Sequence, residues 1–155
     1  INVDTGKKIS QHHGLYHYTL GQRKGIGIGG VGSGEPWFVV GKDLKKNLLY
    51  VAQGEQHEAL YSTSLIGEAP AWTLDEEPVF PLHCTAKFRY RQQDIPVTVH
   101  KMEDGNLHIV YDNPVKAVTP GQVAVLYDAD ICLGSSIIKS IEPVNSKYKY
   151  LNPTF

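Results

Sequence analysis

Apolar and β-branched residues recur along this chain in short runs rather than at helical spacing. Such runs cover Trp37 to Val40, Asn47 to Ala52, Ser64 to Glu68, Cys84 to Gln92, Ile95 to Met102, Leu107 to Asp112, Gln122 to Tyr127 and Ile131 to Ile141. Their length and their content of Val, Ile, Leu, Tyr and Phe are those of strands. Gly41-Lys42-Asp43, Asp104-Gly105-Asn106, Asn113-Pro114 and Thr119-Pro120-Gly121 stand between them, residue types that favour turn dihedrals. The Asp104-Gly105 step predicts a hairpin. The one helical candidate is a short piece around Gly14 to Leu20, and no long amphipathic helix follows residue 60. Strands without covering helices predict a small antiparallel barrel. The expected fold class is therefore mainly β, a small glycine-rich region followed by a six-stranded antiparallel β-barrel.

The polar stretch Gln53 to Ser62 marks a boundary. It separates residues 1–60, expected to belong to a larger unit, from a barrel over residues 61–145. Residues 146–155 follow the last strand signal and read as a loosely held tail. The chain opens Ile1-Asn2-Val3-Asp4 and its one methionine is Met102, so further chain is expected upstream.

Composition narrows the function classes. Apolar residues at 41% and charged residues at 20% are those of a globular protein, and no run of about 18 apolar residues is present to span a membrane. A formal net charge of −1 argues against binding nucleic acid through bulk charge, DNA included, so any RNA contact must be local. The cations do cluster, at Arg23-Lys24, at Lys42 with Lys45-Lys46, and at Lys87, Arg89 and Arg91. Cys84 and Cys132 are too few for a disulfide scaffold and too far apart for a CxxC motif, which points to a reducing cytoplasm. Both sit in strand-like surroundings, where cysteine usually acts as a small buried hydrophobe. His12-His13 with His17, and His83 beside Cys84, lack metal-ligand spacing, so no metal is expected.

Two segments carry candidate chemistry. In Gly21-Gln22-Arg23-Lys24-Gly25-Ile26-Gly27-Ile28-Gly29-Gly30, the glycines at 25, 27 and 30 formally match G-x-G-x-x-G. The run continues into Val31-Gly32-Ser33-Gly34 instead of a helix, and no Gly-Lys-Ser/Thr closes it, so neither nucleotide motif fits. What remains is a loop whose bare backbone, preceded by Arg23 and Lys24, suits close approach to a phosphate chain; a loop whose glycines serve only turns would look the same. In Lys87-Phe88-Arg89-Tyr90-Arg91-Gln92, cations and aromatics alternate with period two. On a strand this would set Lys87, Arg89 and Arg91 on one face about 6.6 Å apart. Arginine grips phosphate bidentately, and a neighbouring tyrosine can stack on a base. A solvated sheet face carries the same pattern, and Tyr90 turned inward would be core.

The order Gly14-Leu15-x-x-Tyr18-Thr19-Leu20-Gly21-Gln22-Arg23-Lys24-Gly25-Ile26-Gly27-Ile28-Gly29-Gly30, then Pro36-Trp37-Phe38-Val39-Val40, resembles the central region of the bacterial tRNA-specific 2-thiouridylases, the MnmA/TrmU family. Lys87 to Gln92, Ala117-Val118-Thr119-Pro120-Gly121-Gln122 and Cys132-Leu133-Gly134 with Ile137-Ile138 resemble that family's C-terminal, translation-factor-like barrel. The likeness runs over residues 10 to 142; Ser135-Ser136 depart from it where glycines are common. It implies an enzyme that uses ATP to activate the wobble uridine of tRNA and takes sulfur from a persulfide-bearing relay protein. It also implies that the ATP-binding domain and the catalytic cysteines lie upstream, so this portion alone would be inactive. No catalytic residue is assigned here. The resemblance implies tRNA contacts at Arg89, Tyr90 and Gln122; local chemistry adds Arg23, Lys24, Lys87 and Arg91. A free-standing RNA-binding barrel, or a docking module for the sulfur-relay protein, would be the other readings.

Overall fold

A computed structural model of the chain describes residues 1–89 and 92–151; Tyr90, Arg91 and the last four residues lie outside them. Nine strands are described: β1 (Trp37–Asp43), β2 (Leu48–Gln53), β3 (Tyr61–Gly67), β4 (Ala71–Trp72), β5 (Leu82–Lys87), β6 (Ile95–Lys101), β7 (Leu107–Lys116), β8 (Val123–Asp128) and β9 (Ile131–Pro143). They divide between two compact units, one of Ser62–Glu142 and one of Ile1–Tyr61 joined by the segment from Pro143 onward.

The second unit is the barrel. Its strands run β3-β7-β6-β5-β8-β9 and close through a β9–β3 pairing, with the short β4 added at β9. Closure follows from period-two alternation, which turns one side chain in every two inward. Val97 and Val99 of β6, Leu107, Ile109 and Tyr111 of β7, and Ala124 and Leu126 of β8 are all buried in one core, with Leu65, Phe88, Val118 and Ile138. Tyr111 is the polar member. Its hydroxyl meets Ser62 Oγ at 3.1 Å, which satisfies both buried groups, and burial pushes its pKa upward. The β6–β7 hairpin turns where expected, with Gly105 at φ 88° and the Met102 N–H donating to the Asn106 carbonyl at 2.8 Å. Asn113-Pro114, expected as a turn, instead lies inside β7. The last β6 partner of β7 is Tyr111, opposite Val97, so proline at 114 removes no donor from that ladder.

In the first unit β1 and β2 pair as a two-stranded antiparallel sheet with a bulge between Val39 and Gly41. Both faces are buried. Trp37, Val39, Leu49 and Val51 face a cluster with Leu15, Tyr18 and Ile26. Phe38, Val40, Tyr50 and Ala52 face another with Leu60, Tyr148 and Leu151. The helical candidate is only a 3₁₀ turn, Leu15–His17. The described part of the segment expected as a loose tail packs instead as a further 3₁₀ element, Ser146–Leu151, with Leu151 just 1% exposed. The approach is close enough that a Cβ on Gly41 would strike the Leu151 carbonyl.

Candidate nucleic-acid interface

In the first unit the glycine-rich loop is pinned to β1. Gly21 N–H donates to the Val39 carbonyl at 2.8 Å, and Val39 N–H donates to the Gln22 carbonyl at 3.0 Å. The Gln22 side chain then closes the turn from within: its Oε1 accepts from Thr19 N–H at 3.0 Å and its Nε2 donates to the Lys24 carbonyl at 2.8 Å. Arg23 and Lys24 are exposed on this turn. Beyond them Ile26 is buried and Ile28 packs against the same core, so alternate residues anchor the loop while the glycines between face outward. Gly25 and Gly27 stand at φ 75° and 76°, where a side chain is disfavoured. Gly29 needs no such φ, and a Cβ there would meet nothing within 4 Å. Neither backbone conformation nor packing requires a glycine at 29, and its absent side chain leaves the peptide open to a partner.

In the barrel the second candidate cluster differs from the expected ridge. Strand β5 stops at Lys87, because Phe88 N–H is taken by the Gln92 side chain at 2.9 Å instead of by a neighbouring strand. The inside-outside alternation persists for two more residues, with Phe88 buried and Arg89 exposed, but a continuous strand from Lys87 to Gln92 does not form. Tyr90 and Arg91 lie outside the described residues. Lys87 is already engaged: its Nζ is 3.5 Å from Asp94 Oδ1 and 5.4 Å from the centre of the Tyr127 ring. Of the predicted barrel contacts with a described position, Arg89 and Gln122 remain exposed.

The strand register brings those two to the same end of the barrel. Lys87 pairs with Val125 across the antiparallel β5–β8 ladder. Arg89 lies two residues past the end of that ladder on one side, and Gln122 three residues beyond it on the other. Gln122 is fixed in place: its N–H donates to the Thr119 carbonyl at 3.2 Å, and its own carbonyl accepts from Ile138 N–H at 2.8 Å. Gly121 before it stands at φ 90°, which explains glycine in Thr119-Pro120-Gly121.

Residues 1–53 match the family model described as the tRNA methyl transferase PRC-barrel domain, and residues 62–138 match the aminomethyltransferase beta-barrel domain. The chain is 53% identical over 146 residues to the tRNA-specific 2-thiouridylase MnmA of Listeria monocytogenes serotype 4b (strain CLIP80459), which is 94% of this chain and 39% of that protein. The same shares are covered at 52% identity in the enzyme of that name from Geobacillus thermodenitrificans (strain NG80-2) and at 51% in MnmA 2 of Geobacillus kaustophilus (strain HTA426). The chain belongs to the tRNA-specific 2-thiouridylase family. It spans about two-fifths of the length of these curated relatives.

Burial, and then the Asp128 carboxylate, push the Cys84 thiol up to about 11, the reverse of what a sulfur nucleophile needs. Cys132, expected to be buried, is exposed on β9; its position in the chain follows strand composition, but its side chain takes the outer face. His12 and His57 tie loops together. His12 Nδ1 accepts from Gly14 N–H at 3.0 Å while its Nε2 lies 3.0 Å from the Asn47 carbonyl. His57 Nδ1 accepts from Ala59 N–H at 3.1 Å while its Nε2 lies 2.9 Å from Asp4. The glycine loop does not fit ATP: it leads into further loop rather than a helix N-terminus, which phosphate binding of that kind requires. Among the described residues no helix is long and apolar enough to cross a membrane.

Proposed function

We propose that this chain is the tRNA-holding C-terminal portion of an enzyme that 2-thiolates the wobble uridine of tRNA. In this reading, ATP and the catalytic cysteines belong to another part of the enzyme, a persulfide-bearing relay protein supplies the sulfur, and the reaction takes place in the cytoplasm. By itself the portion would be inactive. The observation that carries the reading is the gathering of Arg89 and Gln122 at one barrel end, on a member of a family named for its action on tRNA. Arg23 and Lys24, displayed on a turn that Gln22 holds rigid, form the second grip.

The physical logic is positional. Contacts to phosphate and sugar fix register without reading sequence, so two exposed cationic sites are suited to hold a folded RNA while chemistry proceeds elsewhere. Arg89 offers a planar fork to phosphate, and the Gln122 amide offers a donor and an acceptor to a sugar or base edge. Lys87, paired with Asp94, contributes less than either. The supporting experiment is equilibrium binding of the purified chain to an unmodified tRNA transcript with a wobble uridine. Arg89→Ala, Gln122→Ala and Arg23→Ala should each weaken binding, whereas Lys87→Ala should weaken it least. Binding unaffected by all of the first three changes would contradict the reading.

A further inference from the structure

Two aromatic rings in the first unit have no role in its core. Tyr16 is 85% exposed, and its ring centre lies 4.2 Å from that of His17 with 36° between the planes. His17 is itself exposed. The pair is held from both sides: Leu15 before it and Tyr18 after it are buried in the same core. The approach is fixed as well, since His12 Nδ1 accepts from Gly14 N–H and the Tyr18 hydroxyl accepts from His13 N–H at 3.2 Å. Gly14 stands at φ 116°, and a Cβ there would lie 3.2 Å from His17 Cδ2 and 3.5 Å from Tyr16 Cε1. Glycine at 14 thus makes room for the paired, tilted rings, which are then presented to solvent on a short, well-anchored turn.

We infer that Tyr16, backed by His17, is a stacking platform for an unpaired base of the bound RNA. His17 leans against the tyrosine ring at a tilt of 36°, and Tyr16 still keeps 85% of its surface exposed. The surroundings are polar, with Gln11, His13 and Thr19 exposed, which suits the flat face of a base better than an apolar protein segment. Arg23 and Lys24 follow on the next turn of the chain and supply the charge that draws a nucleic acid to this unit. A base stacked on an aromatic ring is held without regard to its identity. The inference rests on the tRNA-holding reading.

The test uses the whole chain and the same unmodified tRNA transcript, with Tyr16→Ala, Tyr16→Phe and Tyr16→Trp. Tyr16→Ala should weaken binding roughly 10-fold while leaving the melting temperature and the salt dependence of binding unchanged. Tyr16→Phe should bind like the original chain. Tyr16→Trp adds an exposed indole, whose emission saturating tRNA should quench. If Tyr16→Ala binds at full affinity while Arg23→Ala and Arg89→Ala still reduce the salt dependence, the platform is overturned and the tRNA reading stands. An effect of Tyr16→Ala on self-association alone would also overturn it. Failure of the unaltered chain to bind tRNA would overturn both.

Discussion

In the barrel, each strand gives one face to a core that the neighbouring strands enclose; in the first unit, β1 and β2 bury both faces and depend on distant segments to cover them. The glycine loop and its approach cover Trp37 and Val39 on one side. Leu60, Tyr148 and Leu151, separated by most of the chain, cover Phe38 and Val40 on the other. A barrel that closes on itself needs only alternation within its own strands. A two-stranded sheet is marginal without further cover, so its stability hangs on side chains that local pattern does not reveal.

The sharpest way to break this contrast is to empty each core. Leu151→Ala should lower the stability of the first unit by about 2–5 kcal/mol, as for other fully buried leucines. Trp37, buried in that unit, reports it by fluorescence in a denaturant titration once Trp72 is replaced by Phe. A Trp37 transition that ignores Leu151→Ala would show that the returning segment is only an ornament. Ile109→Ala, at a barrel position with 0% exposure, should cost a similar amount by circular dichroism; a marginal loss would mean the barrel core is loosely filled. Gly41→Ala drives a methyl group into the Leu151 carbonyl and should destabilise by about 1–3 kcal/mol, a smaller effect because the segment has room to shift. Smallest is Tyr111→Phe, which leaves the Ser62 hydroxyl without its partner and should lower the melting temperature by the equivalent of about 1 kcal/mol.

The same contrast explains what could be read in advance. Short apolar runs at Ile95 to Met102, Leu107 to Asp112 and Gln122 to Tyr127, set apart by turn residues and followed by no long helix, pointed to the barrel, and the runs at Trp37 to Val40 and Asn47 to Ala52 marked strands, but not that both faces of those two are buried. The return of Tyr148 and Leu151 was hidden because they sit among Lys, Asn and Ser, where composition reads as a tail. Strand β5 ends early for a reason no propensity encodes: one side-chain amide, from Gln92, takes the Phe88 N–H. At the candidate interface, Arg23, Lys24 and Arg89 were legible as clustered cations and Gln122 only through the family resemblance, and all four are exposed. The engagement of Lys87 with Asp94 and Tyr127 was not, since it joins residues from three segments of the barrel. Nor was the Tyr16–His17 pair, whose signal was an aromatic between two core residues on a turn opened by glycine.

The central claim is that two cationic sites on this chain grip tRNA through phosphate contacts, and the salt dependence of binding tests it most directly. Measured across a salt series, Arg23→Ala and Arg89→Ala should each reduce the slope of log affinity against log salt by about 1, and the double variant by about 2. A slope unchanged in the double variant would contradict the claim and place the grip on other residues.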